Sequence, residues 1–132
     1  MAKWSITYGR GYAYSLLYHV VWGVSHKHPV LVDDICVMAR QSVSDTLYKL
    51  GAIPVMVDIK PTYVHLIISC KPQIRLSDAV KVLKGNSARK IFMFNNTIKS
   101  VYHIDHLWCS TYLVFSHRDD YEQIIDDYIA QL

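Results

Sequence analysis

At 132 residues the chain has room for one hydrophobic core and too little for two ordinary domains. Hydrophobic residues make up 52% of it and charged residues 19%, with ten tyrosines, which excludes a disordered chain or a solvated tail. Fourteen Lys and Arg against eleven Asp and Glu leave a formal charge of +3, a mild bias toward polyanions that establishes none of them.

Cys36, Cys70 and Cys109 lie far apart, without the CxxC spacing of a zinc site, and the odd count leaves at least one thiol unpaired. A reducing, cytoplasmic compartment is expected. The stretch from Met1 to Tyr8 lacks the apolar run of a signal peptide, and no segment nears the roughly 18 apolar residues of a membrane span. No linker or repeat interrupts the chain, so residues 1–132 read as one domain without a membrane partner.

Tyr12, Tyr14, Leu16, Tyr18, Val20, Trp22 and Val24 recur at period two and predict one long strand over residues 12–24. Asp33 and Asp34 are candidate caps for a helix to Leu50, which Gly51 stops. The apolar runs 53–59 and 63–70, joined by Lys60-Pro61-Thr62, predict a hairpin. Ser77 is the expected cap of a second helix reaching Phe94, with Gly85 inside it as a kink or a close backbone approach. Residues 108–116 predict a fourth strand. Asp119 or Asp120 then caps a last helix with Tyr121, Ile124, Ile125, Tyr128, Ile129 and Leu132 on one stripe. The order β-α-β-β-α-β plus a C-terminal helix is the ferredoxin-like split arrangement of the α+β class, with the first and third strands central.

That layout hosts many functions, so chemistry must be sought in side chains. Tyr63 and His65 leave the same face of the third strand, where two imidazoles would suit a divalent ion, but a phenol with a pKa near 10 is a poor ligand. Taken alone, His65 reads as a satisfied strand histidine, and Tyr128 as a packing residue of the last helix. The stretch from Leu83 to Lys90 offers cations and the bare backbone of Gly85 to phosphates, or else an ordinary solvated face. His26-Lys27-His28 is a further cationic cluster or a charged loop tip.

Four motifs in order resemble the single-tyrosine HUH transposases of small insertion sequences and, more distantly, their REP-associated relatives. They are Gly9-Arg10-Gly11-Tyr12-Ala13-Tyr14 leading into Tyr18-His19-Val20-Val21-Trp22, then Leu83-Lys84-Gly85-Asn86-Ser87-Ala88-Arg89, then Leu107-Trp108 with Tyr112, and last Tyr128-Ile129. The resemblance implies a dimer that recognises DNA hairpins or single-stranded DNA. In such a dimer the last helix of one chain can complete the site of the other. It also implies Tyr128 as the nucleophile that forms a 5′-phosphotyrosine, Mg²⁺ or Mn²⁺ as cofactor, and Lys84, Arg89, Lys90, Lys27 and Arg10 as DNA contacts.

The departures from the family pattern fall on its metal ligands. The family reads roughly PDHVHL where this chain has Pro61-Thr62-Tyr63-Val64-His65-Leu66, and its Gln four residues after the tyrosine is here Leu132, with Gln131 one step around the helix. The implied metal set is therefore His65, Tyr63 and Gln131, with His19 or Asp58 as possible substitutes. The alternatives are a catalytically silent DNA-binding relative and a ferredoxin-like module that binds a small molecule or a protein.

Overall fold

The computed structural model describes residues 6–132; the reading of the N-terminal stretch at Met1–Ser5 lies outside it. A small antiparallel hairpin, β1 (Thr7–Gly9) and β2 (Tyr12–Tyr14), precedes a four-stranded sheet of β3 (Leu17–Gly23), β4 (Ile53–Ile59), β5 (Tyr63–Ser69) and β6 (Leu113–Ser116). The sheet order is β4-β5-β3-β6, and every neighbouring pair is antiparallel. β3 and β5 are central, as the split βαβ reading requires. The helices are α1 (Asp33–Leu50), α2 (Leu76–Phe94), the short α3 (Ile98–Tyr102) and α4 (Tyr121–Ala130).

Alternation along the central strands divides the sheet into two faces. Val20, Trp22, Val24, Val64, Leu66 and Ile68 pack with Ala39, Val43 and Leu47 of α1 and Val80, Leu83 and Ile91 of α2, forming the main core. His19, Val21 and Gly23 alternate with them and face the other way, toward α4. Trp108 ties α2 to the sheet: its Nε1 donates to Lys84 O at 3.0 Å and Ser87 Oγ at 3.1 Å, and its ring meets Trp22 edge-on at 5.8 Å. Ser87 is fully buried and its hydroxyl donates to Leu83 O at 2.6 Å. Ser87→Ala is expected to lower stability by about 1 kcal/mol, read in a urea titration, because Trp108 keeps its second acceptor.

Several expectations are corrected by the backbone. The long strand over residues 12–24 is two strands: the chain turns at Arg10-Gly11, where Gly11 has φ +81°, so Tyr12–Tyr14 pairs with β1 and only Leu17–Gly23 enters the sheet. The period-two pattern runs through both pieces and cannot report a change of partner. None of the expected helix caps forms its side-chain bond. Val32 and Arg75 occupy the N-cap positions of α1 and α2, and Asp120, at that of α4, gives its carboxylate to Arg118 at 2.9 Å. α2 runs unbroken through Gly85, α3 follows it unforeseen, and Gly51 does end α1, in the left-handed region at φ +77°. The fourth strand shrinks to Leu113–Ser116, leaving Trp108 only an isolated bridge to Val24.

Candidate functional site

Three histidines form a row across the α4 face of the sheet. His19 Nδ1 lies 2.8 Å from His65 Nε2, and His19 Nε2 lies 2.8 Å from His117 Nδ1. The register explains the meeting: His19 pairs with Ile67 on one side and Phe115 on the other, so His65 and His117 are its diagonal neighbours. Tyr121, the first residue of α4, stacks over His19 with ring centroids 4.7 Å apart, and Phe115 stacks at the same distance.

His19 is fully buried, and burial, reinforced by His65 and His117, lowers its pKa to about 4. It is therefore neutral at pH 7, with one ring nitrogen donating and the other accepting, which makes the row a directional hydrogen-bond chain. Burial also lowers the His65 pKa, with Lys60 adding to the effect and Asp58 opposing it.

A hollow of about 300 Å³ opens beside His65, lined by Met56, Asp58, Lys60, Tyr63, Tyr121, Glu122, Ile125 and Asp126. The sequence reading of Tyr63 and His65 as same-face neighbours holds here, with Asp58 paired opposite His65 on β4. The donors do not fit a divalent ion. Nε2 of His65 is engaged by His19, and Asp58 lies 3.4 Å from the Lys60 ammonium. The Tyr63 phenol is pushed above its usual pKa by burial and by Asp58 and Asp126 against Lys60, so it stays protonated. Gln131 is exposed past the end of α4 and does not line the hollow. Among the described residues no three His, Cys, Asp or Glu side chains converge to hold a metal.

Tyr128 is turned elsewhere. Its hydroxyl lies 2.8 Å from Thr111 Oγ1, and burial raises its pKa while the Thr111 bond opposes the rise. Lys84 holds the same loop, donating to Cys109 O at 2.7 Å and Thr111 O at 3.4 Å. Burial lowers the Lys84 pKa.

The expected cations separate into groups. Lys27 and Lys84 share a hollow of about 970 Å³ with Lys99 and His106, which the sequence reading passed over. Arg89 is exposed and donates to Asn86 Oδ1 at 2.9 Å; Lys90 and Arg89 line a small polar hollow between α1 and α2. Arg10 is exposed at the β1–β2 turn, remote in sequence from the rest. His117 and Tyr121 were also missed, since only the strand register brings them to His19. No helix among the described residues is long and apolar enough to cross a membrane.

Comparison with known proteins accounts for this arrangement of elements. Residues 12–132 match the family model "Transposase IS200 like". The ISDra2 transposase TnpA of Deinococcus radiodurans is 33% identical over 121 residues, covering 92% of this chain and 86% of that protein. A transposase crystal structure from Deinococcus radiodurans R1 superposes with a TM-score of 0.90 at 34% identity, over 95% of this chain and 96% of that one. A REP-associated tyrosine transposase bound to a REP hairpin shares the fold, with a TM-score of 0.59 at 13% identity over 91% of this chain and 68% of that one. The sheet order, the appended α4 and these matches over nearly the whole chain together make this protein a member of the IS200-like transposase family.

Proposed function

We propose that the protein binds hairpin-forming or single-stranded DNA as a homodimer, and that it does so without a divalent ion in the hollow beside His65. Family membership supports the DNA partner, and a hairpin-bound protein of the same fold supports its form. The observation that carries the second half is the engagement of His65 Nε2 by the buried His19 at 2.8 Å, beside a protonated Tyr63. Where the family places histidine this chain has Tyr63, and a phosphate entering the hollow would face Asp58, Glu122 and Asp126 with Lys60 as their cationic counterpart.

A strand-cleaving reading draws on Tyr128. Its half-buried phenol lies on α4, and its bond to the exposed Thr111 contact leaves it one hydrogen bond from release. In that reading Tyr128 Oη attacks phosphorus, the bond to the 3′ oxygen breaks, and a 5′-phosphotyrosine and a free 3′-hydroxyl result. The arrangement beside His65 favours binding over cleavage. Anisotropy of a fluorescein-labelled single-stranded DNA hairpin tests the proposal: saturable binding unchanged within about twofold by EDTA is expected, with affinity falling steeply as salt rises. Binding lost on chelation, or no binding at all, would overturn it.

A further inference from the structure

Gly85 sits in the middle of α2, exposed, and a Cβ built on it would meet nothing within 4 Å. Glycine weakens a helix interior relative to alanine, and here no neighbour within the chain requires the missing side chain. The position separates two hollows and lines both: the one of about 970 Å³ that holds Lys27, Lys84 and Lys99, and one of about 630 Å³ that holds Lys81 and Arg89. Between them the ridge of α2 drops to bare backbone.

The cations outnumber the acids on this path. Asp105 lines the first hollow and Asp78 the second, where Arg75 already lies 3.7 Å from Asp78. Lys84 has given two of its three N–H groups to Cys109 O and Thr111 O, which leaves one for an anion. The Lys99 ammonium lies 4.8 Å over the Phe92 ring, a contact it can exchange for a phosphate. Lys27 is held at the rim by a left-handed backbone, φ 55°, that non-glycine residues seldom adopt.

We propose that a DNA strand crosses α2 at Gly85, its sugar-phosphate backbone against the bare helix. Lys27, Lys84 and Lys99 hold phosphates on one side of the crossing, and Lys81 and Arg89 hold them on the other. The proposal rests on the DNA-binding reading and adds the path of the strand. A line of cations on both sides of a glycine suits a chain of phosphates. A second copy of the protein is the competing occupant.

The test is anisotropy with the labelled hairpin carrying single-stranded flanks, on the natural protein, Gly85→Ala, Gly85→Leu and Lys99→Ala, with melting temperature and gel filtration alongside. Gly85→Ala should melt no lower than the natural protein, which shows that the helix tolerates a side chain there. Gly85→Leu should weaken binding by about tenfold or more, and Lys99→Ala should reduce the salt slope by about one. Variants that bind like the natural protein would overturn the crossing while leaving DNA binding intact. A change of oligomeric state in Gly85→Leu with unchanged DNA affinity would assign the face to a second copy and also overturn it. A natural protein that binds no DNA would remove the reading on which the proposal rests.

Discussion

Lowering the pH from 6.5 to about 4 is expected to remove on the order of 3 kcal/mol of folding stability through His19 alone. The folded-state pKa of this residue is depressed, by burial first and then by His65 and His117. Above pH 6.5 the ring is neutral whether the chain is folded or not, so its contribution is fully present. Below that, the unfolded chain takes up a proton that the folded one refuses, and stability falls until the pH reaches about 4, where both states are protonated and the loss is complete. His65, shifted in the same direction, adds to the trend. Urea unfolding at a series of pH values measures it, with His19→Phe as the comparison, since a phenyl ring preserves the stacking on Phe115 and Tyr121 without the titration. The natural protein should lose stability over this window more steeply than the variant. Equal slopes would mean that burial does not hold His19 neutral in the folded chain.

The effect is large against the roughly 5–15 kcal/mol that holds a domain of this size together. It also makes α4 sensitive to the row, because Tyr121 anchors the start of that helix on His19, while Ile125 is the residue α4 buries most completely. Gly23 completes the seat: a Cβ there would come within 2.6 Å of Leu132 Cδ1. The end of the chain thus lies on the same sheet face as the histidines.

The fold was legible because long amphipathic segments carry their own periodicity. α1 ended at Gly51 as composition predicts, and β4 and β5 met across Pro61 as a hairpin. What the sequence hid depends on register and on distant partners. Tyr12 to Val24 alternates without a break, yet its first three residues belong to a separate hairpin. Tyr63 and His65 were visible as a same-face pair, whereas the engagement of His65 by His19, and of His19 by His117 near the far edge strand, required knowledge of which residues lie diagonally across the sheet. Lys84 read as a surface cation from composition; its bonds to Cys109 O and Thr111 O make it a strap on the loop where Tyr128 docks. The crowding of carboxylates beside His65 was likewise invisible, because Glu122 and Asp126 come from the last helix and Asp58 from an edge strand.

The same geometry bears on strand cleavage, the second large effect. An in-line attack by Tyr128 needs a deprotonated phenol and a scissile phosphate whose developing charge is neutralised. The Tyr128 phenol is pushed above its usual pKa by burial, and its hydroxyl is bonded to Thr111. Each 1.36 kcal/mol of charge neutralisation missing from the transition state is about a tenfold loss in rate, so strand cleavage by the natural protein is expected to be weak or absent.

The most direct measurement incubates the protein with hairpin-bearing single-stranded DNA and Mn²⁺ and scores SDS-resistant protein–DNA adducts. Tyr128→Phe and Tyr63→His are run in parallel under the same conditions. The natural protein is expected to retain the DNA in a native gel and to yield no adduct, and any adduct formed by Tyr63→His should disappear when Tyr128→Phe is added to it. An adduct from the natural protein that is lost in Tyr128→Phe would contradict binding without cleavage and establish strand cleavage with the residues as they stand.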